Sequence, residues 1–329
     1  MGGADQIGDG DVGLSGDALL ELFSSLVLLR TFDERAVVLQ RQGRIGTYPT
    51  FWGEEATQAG AMLALREKDW VFPSYRQNAV GLLRGLPASV PLAYRRGYGG
   101  THGFWNPRRY RVAPMCVPIG THLPHAVGLA WAAKLRGEEI CSLVWFGDGA
   151  TSEGDFHEAM NFASVVAAPV IFFCVNNQWA ISTPFSRQSG TATVAEKAAA
   201  YAMPALRVDG FDPLACWWAT REAAERALTG GGPTLVEAVT YRLGPHATAD
   251  DPSLYRDESE AGRYRALEPV GRMTAYLRRR GLLPAELEAD IRADVRGTLD
   301  RAVAEMEAIL KPGAGIMFEH LYAARRPES

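Results

Sequence analysis

The chain has 329 residues and a formal net charge of −4. At 47% hydrophobic and 22% charged it has the make-up of a globular protein, long enough for one large α/β domain or two small ones. The mildly acidic balance argues against a nucleic-acid-binding surface, and no apolar run reaches the roughly 20 residues a membrane span needs.

Residues 1–13 are rich in Gly and Asp and read as a flexible tail. No basic segment followed by an apolar one is seen there, so no secretory signal is expected. Ser15 is an N-cap candidate for a helix over 17–42, with Leu19, Leu22, Phe23, Leu26 and Leu29 at helical spacing and Gly43 and Gly46 past its end. An aromatic, irregular stretch over 47–52 leads through Gly53-Glu54-Glu55 into a small-residue helix, 56–65. Asp69-Trp70-Val71-Phe72 is a short strand that exits through Pro73-Ser74-Tyr75-Arg76. On its own, a Tyr-Arg pair at a strand end reads as a surface hydrogen-bonding pair. Residues 95–111, with Gly97, Gly99, Gly100 and Gly103, read as a long ordered loop whose arginines form a solvated face. Past 117–122 a helix is predicted over 124–135, with Pro124 near its start and Gly137 beyond its end.

The most informative stretch is 142–184. An apolar run, Leu143-Val144-Trp145-Phe146, stops at Gly147-Asp148-Gly149-Ala150. A helical pattern follows over 153–166. A second apolar run over 170–175 stops at Asn176-Asn177-Gln178-Trp179. Two buried strands joined by a helix make a βαβ unit with parallel strands. Both turns then lie outside the carboxyl ends of the strands, where open α/β sheets bind ligands. Asp148 and the Asn176 and Asn177 amides supply oxygen ligands suited to magnesium, which bridges protein to phosphates. Gly147 and Gly149 allow close approach or positive φ, and the helix beyond offers free N–H groups to an anion. Either turn alone is an ordinary strand-end turn. The two on one unit favour a site for a diphosphate held through a divalent metal.

A helix over 194–201, a strand over 205–208, a helix over 214–228 and a strand over 234–239 follow. This alternation predicts an α/β fold, a doubly wound parallel sheet with helices on both faces, plus C-terminal helices at 258–267, 270–280 and 284–310. The expected division is a tail, 1–13, a binding domain, 14–256, and a helical extension packed on the same domain, 257–329. His246 lies in a polar loop, where one histidine is more often structural than catalytic. Cys116, Cys141, Cys174 and Cys216 form no CxxC pair and read as reduced residues of a cytoplasmic protein.

The string GDGATSEGDFHEAMNF…FFCVNNQWAISTP resembles the alpha chain of the decarboxylating component of 2-oxo acid dehydrogenase complexes. Gly147-Asp148-Gly149 with Asn176-Asn177 resembles that family's thiamine diphosphate motif, and the likeness runs from about residue 15 to 257. It implies the thiamin diphosphate-binding fold, with Asp148, Asn177 and the Trp179 carbonyl as ligands to Mg2+ and Asn176 as a turn former. It implies that Gly149 and Ala150 present backbone to the diphosphate. It also implies that Tyr75 and Arg76 contact the cofactor, that Ile119 packs against it, and that His246, in RxGxH…DD, joins the chemistry. By their own residues Phe51 and Trp52 read as loop packing; the resemblance sets the QGRIGTY…GEEA string near the cofactor, which implies the other reading, that one of them borders the substrate's acyl group.

Three departures from the family pattern matter. Cys116 and His122 replace the Ser and Gln of a branched-chain alkali-metal site, although Thr121 matches, so no bound potassium is carried over. Val175 stands where relatives place a phosphate-binding arginine, which shifts that load to Arg76. Ala247 replaces the serine phosphorylated in animal relatives, so control there is not expected.

The resemblance implies oxidative decarboxylation of a 2-oxo acid, with reductive acylation of a lipoyl group on a partner acyltransferase. It places the activating glutamate on a separate beta subunit of an α2β2 assembly, so this chain alone is expected to be inactive. RQGRIGTY, GGGPTLVEA and GPHATADDP lean toward pyruvate, and Trp52-Gly53-Glu54-Glu55 leans toward branched-chain acids. An acetoin-type dehydrogenase or a non-catalytic scaffold subunit are the alternatives. An ordinary dinucleotide-binding protein is disfavoured because the turn lacks GxGxxG.

Overall fold

A computed structural model describes residues 13–98 and 104–319. The first predicted helix forms as α1, Gly16–Arg41, and the Ser15 hydroxyl caps it by accepting from the Ala18 amide at 3.2 Å. Next come α2, Glu55–Ala64, β1, Trp70–Phe72, α3, Ser89–Arg95, α4, Pro107–Tyr110, and α5, His122–Leu135. The segment expected to be one long loop, 95–111, therefore carries helical turns at both ends. Its Gly99, Gly100 and Gly103 lie outside the described residues, as do 1–12 of the tail and 320–329 of the C-terminal extension.

The central βαβ unit consists of β2, Ser142–Gly147, α6, Gly154–Val165, and β3, Val170–Asn176. A 3-10 turn, Asp148–Ser152, separates β2 from α6. Past β3 a small antiparallel hairpin pairs β4, Trp179–Ala180, with β5, Thr183–Pro184. The helix predicted over 194–201 is a 3-10 helix, Ala195–Tyr201. Strand β6, Ala205–Asp209, helix α7, Pro213–Leu228, and strand β7, Thr234–Val239, complete the sheet. Asp212 caps α7 by accepting from the amides of Leu214 and Ala215. The remaining helices are α8, Glu258–Arg265, α9, Pro269–Arg279, α10, Ala285–Ala308, and α11, Ile316–Glu319.

The five strands are all parallel, in the order β1-β2-β3-β7-β6. Alternate side chains go to opposite faces, as a strand's period of two requires. Val144, Phe146, Phe172 and Cys174 pack with α5 and α6. Leu143, Trp145, Ile171, Phe173 and Val175 pack with α2 and α7. The sheet is therefore covered on both faces, and its central strands are continuous apolar runs because both sides are buried. A third layer lies outside α2, where α1, α9 and α10 share one apolar core. No helix among the described residues is long and apolar enough to cross a membrane.

α2 is sandwiched, with residues 55–62 all buried. Its small side chains permit that. A Cβ on Gly60 would lie 2.4 Å from the Pro213 carbonyl oxygen and 2.9 Å from Cys216 Cβ. Alanine's better helix propensity contributes about 1 kcal/mol, whereas overpacking a core costs roughly 1–3 kcal/mol, occasionally more. Gly60→Ala is expected to lower the melting temperature followed by circular dichroism. An unchanged or raised value would mean that α2 and α7 do not approach this closely.

Candidate active site

The parallel register sets Gly147 beside Val175 and Asn176 beside Val239. The carboxyl ends of β1, β2, β3 and β7 thus form one continuous edge. The segments leaving those ends, together with residues 46–54 and 115–122, enclose a cavity of about 480 Å³. Tyr75, Arg76, Ile119, Asp148, Gly149, Ala150, Asn177, Trp179 and His246 all line it. That volume lies within the range of small-molecule and cofactor sites.

Asp148 is 1% exposed and accepts from Gln188 Nε2 at 2.6 Å. Burial raises its carboxyl to about 6, against the lowering effect of that hydrogen bond. No arginine, lysine or histidine among the described residues forms an ion pair with it. Asn177 is fixed from both ends: its Nδ2 donates to Glu54 Oε1 at 2.7 Å, and its Oδ1 accepts from the Trp179 amide at 3.2 Å. Asn176 braces the turn, its Oδ1 accepting from the Gln178 amide at 3.2 Å and its Nδ2 donating to Glu237 at 2.8 Å. Gln178 and Ile181 adopt positive φ, 72° and 53°, uncommon for non-glycine residues.

The two motif glycines have different reasons. Neither takes positive φ, contrary to one of the options read from sequence. Close approach holds for Gly149, where a Cβ would meet Ala180 Cβ at 2.8 Å. A Cβ on Gly147 would meet nothing within 4 Å. Ile119 is 43% exposed at the cavity rim, so it is not core. Val175 lines the cavity and brings no charge.

Arg76 is 5% exposed. Its Nη1 donates to the carbonyls of Thr50 and His246, and its Nε lies 3.8 Å from Glu54 Oε1. Its Nη2 lies 3.1 Å from His246 Nδ1. A guanidinium only donates, so Nδ1 must accept and the imidazole is the neutral Nε2–H tautomer. Burial, then Arg76, then Arg242 lower the His246 value to about 4. The Tyr75 ring packs edge-on against His246 at 5.9 Å.

Three contributors were not singled out from sequence. Glu54 is 1% exposed, and burial raises its carboxyl to about 7, with Arg76 and Asn177 opposing. Its Oε2 is buried without a partner among the described residues. Arg242, 1% exposed, donates to the carbonyls of Trp179 at 3.2 Å and Ile181 at 2.6 Å. Gln188 holds Asp148. Glu54 and Arg242 belong to the quoted GEE and RxGxH strings, which was the available signal. Gln188 carried none. The aromatics expected near the acyl group are elsewhere: Phe51 is fully buried in the α1 core, and Trp52 lies between the guanidiniums of Arg30 and Arg265. Neither lines the cavity, because the chain turns their side chains away from the face that Thr47, Pro49 and Glu54 present.

Cys116 Sγ and Thr121 Oγ1 lie 2.9 Å apart, and Cys116 Sγ lies 3.2 Å from the Pro118 carbonyl. His122, its charged form disfavoured chiefly by burial, bonds the Trp145 carbonyl through Nε2 at 2.6 Å.

A doubly wound sheet whose strand-end turns gather a buried carboxylate, an oriented amide and an arginine defines a cofactor-dependent α/β enzyme. The chain belongs to the dehydrogenase E1 component family, whose model matches residues 24–314. The family implies thiamine diphosphate use, oxidoreductase activity within a complex, and a beta-subunit partner. The chain is 48% identical over 291 residues to the 3-methyl-2-oxobutanoate dehydrogenase subunit alpha of Mycobacterium tuberculosis strain H37Rv, covering 87% of this chain and 78% of that one. It is 38% identical over 299 residues to the pyruvate dehydrogenase E1 component subunit alpha of Staphylococcus aureus strain N315, covering 91% and 78%. It is 36% identical over 321 residues to the 2-oxoisovalerate dehydrogenase subunit alpha of Bacillus subtilis strain 168, covering 95% and 97%.

The His246 shift has a stability consequence. The unfolded imidazole titrates near 6.5 and the folded one at about 4. The folded state therefore binds fewer protons across that interval, and stability falls as pH drops from about 6.5 to about 4. Urea unfolding at several pH values should show a shallower acid loss in His246→Gln than in the parent protein. Identical slopes would place His246 in solvent.

Proposed function

We propose that this chain is the alpha subunit of a 2-oxo acid dehydrogenase. The reaction is oxidative decarboxylation of the 2-oxo acid and transfer of the acyl group to a lipoyl group on a partner acyltransferase. The observation that carries the reading is the convergence of nine side chains or backbone groups, named from the sequence, on one cavity. Bound thiamine diphosphate supplies the electron sink for loss of carbon dioxide. The donor chemistry fits it. Asp148, Asn177 Oδ1 and the Trp179 carbonyl are hard oxygen donors of the kind Mg2+ takes. A buried carboxylate without a cationic side chain, Asp148, is a position that a metal ion would neutralise. Arg76 puts a buried positive charge in the cavity wall, with an Nη2 donor beyond those bound to His246 for a phosphate oxygen. Ile119 presents an exposed apolar surface at the rim for the cofactor's rings.

His246 enters the chemistry as a hydrogen-bond donor. Arg76 occupies Nδ1, so Nε2 carries the proton, and the depressed value keeps it neutral at working pH. A neutral N–H can support developing negative charge on a substrate oxygen without first losing its proton. The α2β2 arrangement, with the activating glutamate on the beta subunit, belongs to the same proposal. So does a cytoplasmic location, in keeping with four free cysteines. The 48% identity to the M. tuberculosis protein favours 3-methyl-2-oxobutanoate over pyruvate as substrate.

Two measurements test this. The isolated chain should show no dye-coupled 2-oxo acid oxidation, and the reconstituted alpha–beta pair should turn over 3-methyl-2-oxobutanoate with a higher kcat/KM than pyruvate. Full activity of the single chain, or a reversed ratio, would refute the corresponding part. Asp148→Asn should lower kcat/KM of the pair by about 10²-fold or more at limiting Mg2+, the scale of a lost metal-site contact, with partial recovery as Mg2+ is raised.

A further inference from the structure

Arg95, the last residue of α3, stands in the wall of the same cavity and is half-buried. Its Nη2 donates to the Tyr75 carbonyl at 3.1 Å and lies 3.5 Å from Met115 Sδ. Its guanidinium carbon lies over the rings of Tyr48 and Tyr94, 5.9 and 5.6 Å from their centroids. The Tyr48 ring is itself fixed, because its hydroxyl donates to Asp33 at 2.9 Å. Arg95 has no carboxylate within ion-pair distance among the described residues. Arg30 has Glu55 and Glu268, Arg272 has Asp209 and Asp212, and Arg76 has Glu54, whereas Arg242 and Arg256 share the lack of a carboxylate but spend their donors on several carbonyls. Burial without a counter-charge lowers Arg95 from its usual value, yet a guanidinium stays protonated in proteins.

The position matters as much as the charge. The backbone of Arg95 accepts from the Gly46 amide at 2.7 Å, and its side chain touches Met115. Arg95 thus belongs to the wall built by the segments around Thr47 and Cys116. Asp148, Asn177 and Trp179 belong to the turns after β2 and β3. Tyr75 separates the two arginines, with Arg76 over its ring at 5.4 Å and Arg95 on its carbonyl. The cavity therefore offers an anion a second cation, preoriented by two aromatic rings and a carbonyl, on a different wall segment from the proposed metal ligands.

We infer that Arg95 receives the carboxylate of the 2-oxo acid substrate, pairing through the guanidinium edge that the Tyr75 carbonyl leaves free. The inference rests on the thiamine diphosphate reading of the cavity. A guanidinium fork matches a carboxylate bidentately. The contact is made with the intact acid and weakens as the carboxylate becomes neutral carbon dioxide. While the carboxylate is still charged the contact holds the bound acid and the steps that precede bond breaking alike, which is uniform binding and acts on KM. Arg95 is a specificity residue in this role.

The test uses the reconstituted alpha–beta pair with thiamine diphosphate, Mg2+ and a dye acceptor. Arg95→Met should raise the KM for the 2-oxo acid about tenfold or more, as expected for loss of one member of a desolvated charge pair. Its kcat should stay within about twofold of the parent, and Arg95→Lys should fall between. Two readouts do not depend on turnover. The thiamine diphosphate Kd, from quenching of intrinsic fluorescence, should be unchanged in both variants. By isothermal titration, isobutyrate should bind the parent pair and lose affinity in Arg95→Met, whereas isobutyramide should not discriminate. Unchanged KM overturns the inference, as does a weakened thiamine diphosphate Kd, which would assign Arg95 to the diphosphate. Loss of the alpha–beta pair on size exclusion would assign Arg95 to an acid of the partner chain and overturn it too. A parent pair that binds no thiamine diphosphate would refute the underlying reading itself, a result separate from all of these.

Discussion

The site is organised by the burial of charge at one edge of the sheet. Glu54, Arg76, Asp148 and Arg242 are each 5% exposed or less. Withdrawing an ion from water costs several kcal/mol even after relaxation, so each must find partners, and finding them fixes the loops. Arg242 places its donors on the carbonyls of Trp179 and Ile181, which ties the strand-end segment after β7 to the β4–β5 hairpin. Two positive-φ residues flank β4 there, Gln178 just before it and Ile181 in the hairpin turn. Arg256 does the same one layer out, donating to the carbonyls of Arg242 and Gly244 beneath the His246 loop. The His246 amide and the Tyr255 hydroxyl both donate to Asp250. Irregular backbone is thus held by buried arginines in place of regular ladders, which is how unusual φ values persist near a binding site.

The elements that position these groups were legible because they depend on local pattern. Uninterrupted apolar runs at β2 and β3 read as strands buried on both faces, and Gly, Asp and Asn marked where each strand stops. Ser15 announced its helix by cap chemistry. Parallel pairing then follows from the connecting helix, and it brings Tyr75, Asp148, Asn177 and His246 to one edge although they are far apart in the chain. The aromatic stretch 47–52 left packing and an acyl-group contact both open because hydrophobicity does not say which cavity a ring faces, and packing is what the fold shows. Phe51 answers to the core under α1, and Trp52 to two arginines. Gln188 and Arg95 were opaque for a different reason, and Glu54 was marked only by its place in the GEE string. A carboxylate at the start of a helix, an amide in a loop and an arginine at a helix end are ordinary solvent-facing residues by local rules. Their importance exists only once β3, the hairpin and α3 close around them.

The charges in the cavity also bear on how cofactor and metal act on each other in the proposed site. Glu54 is shared between Arg76 and Asn177, and its second oxygen has no partner among the described residues. An anion drawn to Arg76 competes with Glu54 for that guanidinium and leaves the acid less compensated. A cation beside Asp148 works in the opposite direction: it offsets the negative charge of Asp148 and Glu54 together and of the arriving phosphate. Alone, a diphosphate meets two buried acids. Alone, a cation meets a cavity wall that already carries two arginines. Together each removes the penalty faced by the other, and by linkage the gain is reciprocal. Under the proposed function, the acids that a simple anion site would exclude would therefore favour a metal–diphosphate pair over either ion by itself.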